Sequence, residues 1–245
     1  MKANQLLIIG TILFFSFSSK TASAQIALGI KGGLSIPNLS SGSSSNPLNS
    51  GYSSRLGFDG AVFADFHISR LFSIQPQIEY SSQGGKKDGM QAFPNPYGPT
   101  PPYLYANYNS ETKLNYLLIP VLAKFKFNLG GGFKLYAMAG PNVGFLLSAK
   151  QVNSGTSPIY ADPQGQQVLS PSASFDTTEN VKSSLQSTNY GIEGAIGISY
   201  AFGNSNVFIE GGGNYGFVTI QKDAADGQDK TGAASVLVGY SYKLP

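Results

Sequence analysis

From residue 26 onward, apolar and polar positions alternate along the chain with a period of two. That period belongs to strands with two unlike faces, not to helices. In 26–36 (IALGIKGGLSI), Ile26, Leu28, Ile30 and Leu34 share one face, with Lys31 and glycines on the other or between. In 55–67 (RLGFDGAVFADFH), Leu56, Phe58, Val62, Ala64 and Phe66 oppose Arg55, Asp59, Asp65 and His67. In 72–82, Phe72, Ile74, Ile78 and Tyr80 oppose Gln75, Gln77 and Glu79, with Pro76 as a local obstacle because it lacks a ladder donor. The longest hairpin is 114–141: LNYLLIPVLAKFKF, a turn at Asn128–Gly132, then FKLYAMAGP. Both faces of its first run are apolar enough to meet lipid. Placing Leu117, Ile119, Val121, Ala123, Phe125 and Phe127 outward leaves Lys124 and Lys126 on the opposite face, with Lys134 following the turn. Further alternating runs cover 187–202, 207–220 and 231–244. In the first two, Glu193 and Glu210 lie opposite the apolar set.

This makes about eight strands. The connections between them alternate long and short. Pro37–Ser54, Gln83–Ser110 and Ala149–Gln186 read as long polar loops, and Gln221–Lys230 as a shorter charged one. The intervening links are tight turns. Outer-membrane barrels have short turns on one side and longer loops on the other, and strands of this length suffice to cross a bilayer when tilted. The fold class predicted is therefore all-β, an eight-stranded antiparallel up-and-down transmembrane β-barrel. Aromatic residues cluster towards strand ends. Phe58, Tyr80, Phe145, Tyr190 and Tyr215 fall at one interface, and Phe66, Phe72, Phe127, Phe133, Tyr200 and Tyr242 at the other, as girdles at headgroup depth require.

The first 24 residues carry an address. Lys2, the apolar stretch 6–17 and Ala22-Ser23-Ala24 form a secretory signal peptide cleaved after Ala24, leaving 25–245 as the barrel domain. Its removal takes Lys2 and Lys20, lowering the net charge from +3 to +1. So weak a charge gives no argument for nucleic acid. With no cysteine among 245 residues, disulfides, thiolate metal sites and a lipoprotein-type anchor are excluded.

In a barrel of this size side chains fill the interior. The candidate lumen charges are Lys31, Arg55, Asp59, Asp65, Glu79, Lys124, Lys126, Lys134, Glu193 and Glu210. Both signs are present, and buried charges persist only when paired or hydrogen-bonded. An internal salt-bridge network that plugs or narrows the barrel is therefore expected. A small porin-like channel for ions or solutes is the alternative, and a soluble exported lipocalin-like ligand binder is a third reading. The one histidine, His67, shares a strand face with Asp65 but falls at a short turn without a suitably placed nucleophile. No catalytic residue, cofactor or metal site is expected.

The segments GIKGGLSIPNL, NYLLIPVLAKFKF and SVLVGYSYKL resemble the porin-family, PorT-like outer-membrane β-barrel domain of Gram-negative bacteria. The resemblance covers the mature chain and implies an outer-membrane location. Many members carry a strand like YLxIPxLxKxxF, here Tyr116–Phe127. Leu118 stands where relatives often have an acidic residue, which removes one lumen ion pair. Gly239, Tyr242 and Leu244 fit the terminal assembly signal of such proteins, although Leu237 and Pro245 depart from it. Outer-membrane lipid and the barrel-assembly machinery are the partners implied, with an extracellular ligand possible through the loops.

Overall fold

The computed structural model describes residues 25–41, 47–49, 51–223 and 227–245. The signal peptide assigned to 1–24 lies outside the described residues. The strands, in chain order, are β1 Gln25–Ser41, β2 Gly57–His67, β3 Phe72–Lys87, β4 Met90–Pro94, β5 Tyr103–Asn107, β6 Asn109–Gly130, β7 Phe133–Ser154, β8 Thr156–Tyr160, β9 Val168–Ser174, β10 Thr177–Asn180, β11 Thr188–Phe202, β12 Ser205–Gly216 and β13 Asp229–Lys243.

Eight of these close a ring, β1-β2-β3-β6-β7-β11-β12-β13, every neighbour antiparallel. The seam between β13 and β1 pairs from Ala27↔Lys243 to Ser41↔Asp229. Closure leaves the ring without a free edge, the condition for placing strands in lipid. Two features interrupt the ladders. The β2–β3 pairing lapses between Phe63↔Gln77 and Phe66↔Ile74, beside Pro76. The β3–β6 pairing lapses between Pro76↔Val121 and Glu79↔Leu118, beside Pro120. A proline has no N–H to donate, so the lapses fall where the sequence removes the donor.

At one end the turns are tight. The β6–β7 turn runs through Gly130, Gly131 and Gly132, whose φ values of 89°, 59° and 89° are left-handed and open to glycine. The Asn128 side chain accepts the Gly130 N–H at 3.0 Å. In the β2–β3 turn, Ser69 Oγ accepts the N–H of Phe72 at 3.0 Å.

At the other end the expectation of long loops needs correction. β3, β6 and β7 continue well beyond the apolar region, and Gln83–Ser110 and Ala149–Gln186 contain strands. A separate sheet forms in the order β4-β5-β8-β9, and β10 pairs with β7. The period-two signal fails there for a physical reason. The outward face no longer meets lipid, so apolar residues need not recur on it, while the backbone ladder alone still specifies the strand. β1 likewise extends five residues past Ile36, through Pro37, into what reads as loop composition.

The facing of the side chains is the reverse of a soluble barrel. Leu28, Ile30, Val62, Ile78, Val121, Phe125, Ile196 and Val238 are all exposed. Asp59, Glu79, Ser81, Gln75 and Glu210 are each at most 3% exposed. On β6 the outward set is Leu117, Ile119, Val121, Ala123, Phe125 and Phe127, with Lys124 and Lys126 buried between them. This direction overturns the soluble ligand-binder reading, which requires an apolar interior.

β6 also reverses its faces along its length. Towards the long-loop end the outward positions become Asn115, Lys113 and Glu111, while the inward ones become Leu118, Tyr116 and Leu114. Where the outer face turns polar, the interior turns apolar. This is the change expected of a strand that leaves a lipid environment and enters water.

Candidate functional site: the filled lumen and its cap

Reading upward from the tight-turn end, the first group is Asp65 with Lys124 and Lys126, each ammonium 3.6 Å from Asp65 Oδ2. Lys124 also donates to Gln75 Oε1 at 2.9 Å and lies 4.2 Å from the Tyr136 ring centroid. Gln75 is one residue before Pro76 and inward by the same alternation that buries Lys124. At mid-height Lys31 Nζ donates to Glu210 Oε1 at 2.7 Å, and the Tyr136 hydroxyl donates to Glu210 Oε2 at 2.8 Å. One carboxylate thus joins β1, β7 and β12 across the ring. Gln77 donates to Glu193 at 3.2 Å. Asp59 accepts the Ser82 N–H at 3.0 Å. One oxygen of Glu79 and one of Glu193 are buried without a hydrogen-bond partner.

Two expected members stand apart. Arg55 precedes β2, at the long-loop end, and does not enter the lumen group. It binds Glu111 on the polar outward face of β6 at 2.8 Å and also donates to the Gln83 carbonyl at 3.1 Å. The alternation in 55–67 suggests a strand face for Arg55, but β2 begins only at Gly57. Lys134 is half-buried beside the β6–β7 turn, with no carboxylate within ion-pair distance among the described residues. His67 lies at the tight-turn end, its Nδ1 2.9 Å from the Gln25 carbonyl.

Charge patterning does not reveal the aromatic filling. Phe63, Leu122, Tyr136, Met138 and Phe208 form a buried cluster inside the ring. Phe63 and Phe208 meet edge-on with centroids 5.8 Å apart. Each ring lies over a glycine directly opposite on the neighbouring strand: Phe63 on Gly29, Tyr136 on Gly197 and Phe208 on Gly239. A Cβ at these glycines would come within 2.3, 2.4 and 2.2 Å of a ring atom. Only glycine permits that approach, and the ring in turn covers the bare backbone. The available sequence signal is a glycine at an inward position opposite an aromatic, which becomes legible only once the register is known. Gly239 therefore has a packing function in addition to the assembly role expected of it. Tyr242 and Leu244 point outward.

Above the charged layer, Gln83 bridges to Ser81 at 2.8 Å and to Asn214 at 2.9 Å. Over these lies an apolar cap of Leu39, Leu114, Tyr116, Leu118, Leu146, Ala149, Leu185 and Ile220. Two cavities inside the lumen, one beside Glu79 and Glu193 and one beside Gln83 and Asn189, are about 10 Å³ each. That is room for about one water at most. Beyond the cap, burial lowers the Lys87 ammonium to about 8 and raises the Asp229 carboxyl above the ordinary aspartate range. Tyr52 and Tyr108, in the same region, are both raised by burial. Among the described residues no group of three or more histidine, aspartate or glutamate side chains is arranged to hold a metal ion.

Among solved structures, the chain is similar to Neisserial surface protein A, at 15% identity and a TM-score of 0.43, with 89% of this chain and 99% of that one covered. It is similar to the attachment invasion locus protein Ail of Yersinia pestis at 11% identity and a TM-score of 0.39, covering 88% of this chain and 98% of that one. Outer membrane protein OprG of Pseudomonas aeruginosa follows at 11% and 0.38, with 90% and 97% covered. No curated protein matches the chain. The family profile described as "Outer membrane protein beta-barrel domain" matches residues 17–221. With that match spanning most of a closed, lipid-facing ring, the chain belongs to the outer membrane protein β-barrel domain family and is an integral protein of the bacterial outer membrane.

Proposed function

We propose that this barrel is a closed, non-enzymatic membrane anchor that presents its long connections outside the cell for surface interaction or a structural role. The observation that carries the reading is the filling of the interior. A hydrated ion path needs a continuous bore. The lumen instead has the Lys31–Glu210–Tyr136 tie, three inward aromatic rings and cavities of about 10 Å³. Short turns on the periplasmic side and extended connections outside follow the general plan of such barrels. The strand Tyr116–Phe127 supports placing the chain among the PorT-like members. Outer-membrane lipid and the assembly machinery are its proposed partners.

Planar-bilayer recording on the refolded mature protein tests the reading. The expected result is no unitary conductance in the parent. Steady conductance that changes in a Glu193→Gln or Lys124→Met variant would establish the small-channel alternative instead.

A further inference from the structure

The long-loop end encloses a cavity of about 300 Å³, the lower end of the range for small-molecule pockets. All four outer connections contribute to its wall: Tyr52 from β1–β2, Phe93 from β3–β6, Leu185 from β7–β11 and Gln221 from β12–β13. The apolar cap forms its floor, through Leu39, Leu185 and Ile220. The cavity is therefore a dead-end cup above a closed lumen, not the vestibule of a pore. Its wall mixes apolar side chains such as Phe93, Leu185 and Ile220 with uncharged polar ones such as Ser110, Thr112 and Gln151, and one cation enters it.

That cation is Lys87. Its ammonium donates to the Leu48 carbonyl and sits 4.1 Å from the Tyr52 ring centroid. Among the described residues no carboxylate lies within ion-pair distance of it. Asp229, the buried carboxylate facing the same region from β13, acts on it from beyond ion-pair distance; its Oδ2 accepts from Gln221 Nε2 at 2.8 Å and its Oδ1 is buried without a hydrogen-bond partner. Gln91 is committed to the carbonyls of Lys87 and Tyr108. The cup thus offers an apolar body and one cationic head group without a bound counter-charge, which complements an amphiphile of opposite polarity at the head.

We propose that this cup binds a small amphiphilic carboxylate, its apolar body against Phe93, Leu185 and Ile220 and its carboxylate on Lys87. The proposal rests on the reading of the outer connections as the interaction surface and names the ligand class they take. Burial already weakens the hold of Lys87 on its proton, and an incoming anion restores the stabilisation that water would have given.

The test uses the mature protein in phosphatidylcholine nanodiscs, with empty nanodiscs as the blank and isothermal titration calorimetry as the readout. Octanoate is expected to bind saturably at one site, and octylamine is not. Lys87→Met, and Ala92→Phe, which fills the cup from β4, should each weaken octanoate by about tenfold or more. Lys87→Arg should retain it. Raising the pH from about 7 to about 9.5 should weaken the parent as Lys87 discharges but leave Lys87→Arg unchanged. Asp229 and Tyr52 face the same ammonium and Tyr108 lines the same cavity, and that variant leaves all three in place, so it separates their titration from that of Lys87. No saturable octanoate heat, equal binding of octylamine, or octanoate affinity indifferent to Lys87→Met would overturn the site. A silent calorimeter with a non-conducting barrel removes the cup alone. A conducting barrel removes the broader reading.

Discussion

Lys31 offers a sharp test of whether the lumen is held together by its charges. The Lys31 and Glu210 side chains are 1% and 3% exposed, with the ammonium 2.7 Å from the carboxylate. At an effective dielectric of about 20, that separation corresponds to about 6 kcal/mol of gross attraction. The net value is smaller, because burying both ions costs desolvation. Removing one partner of such a pair typically costs about 3–5 kcal/mol, since the other is left buried and uncompensated. In Lys31→Met the loss should fall in that range, because Glu79, Glu193 and Asp59 also face this cation and would share the loss. Glu210→Gln should cost less than half as much, since Lys31 keeps Glu79 and Glu193 nearby. The double variant should recover part of the single Lys31→Met loss. Urea unfolding in lipid vesicles, followed by the heat-modifiable shift in gel mobility, measures all three. A Lys31→Met barrel within about 0.5 kcal/mol of the parent would refute the reasoning and show the lumen charges to be solvated bystanders.

Three further outcomes follow from the geometry. Gly239→Val should abolish folding or lower its yield severely by driving a methyl into the Phe208 ring, and Gly239→Val/Phe208→Ala should restore it; if the double variant fails as badly, the glycine acts through assembly recognition and not through packing. The pKa of Lys87 is depressed in the folded state, so between about 8 and the ordinary lysine value of 10.5 the unfolded segment holds the proton more tightly. Local protection of β3 and β4 amides should therefore rise with pH across that window, and Lys87→Met should flatten the rise. Tyr97→Cys, at a residue 84% exposed on the β4–β5 connection, should react with a membrane-impermeant maleimide on intact cells, whereas Gly131→Cys should not; the opposite pattern would invert the orientation.

The sequence shows most of the ring and little of its contents. Alternation was enough for the eight barrel strands because lipid on one side and a packed lumen on the other impose opposite chemistry on successive residues. It leaves the facing of β6 open, because Leu114, Tyr116, Leu118 and Leu122 are apolar too; the structure puts the two lysines inward. The same signal could not find β4, β5, β8, β9 and β10, which have water or one another as neighbours and no lipid face to enforce the period. Lumen charges such as Lys31, Asp65 and Glu210 were legible because a charged residue opposite Ile, Val or Phe can only face inward. Arg55 was misread by one step of local structure, since alternation continued past the point where β2 starts. Tyr136, Phe63 and Phe208 were invisible as filling because an inward aromatic looks no different from a girdle residue until its facing glycine is known.

The reversal of faces along β6 also fixes a height. Were the barrel to sink by two residues, Asn115 and then Lys113 would enter hydrocarbon; were it to rise, Leu117 and Ile119 would be lifted towards water and the β6–β7 turn with Asn128 drawn towards hydrocarbon. Charged side chains on the lipid face cost about 2–4 kcal/mol near the midplane and far less near the interface, so the penalty steepens with each step inward. A single strand thus works as a depth gauge. It holds the protein at one level in the bilayer, and with it the distance at which the β4-β5-β8-β9 sheet stands from the membrane.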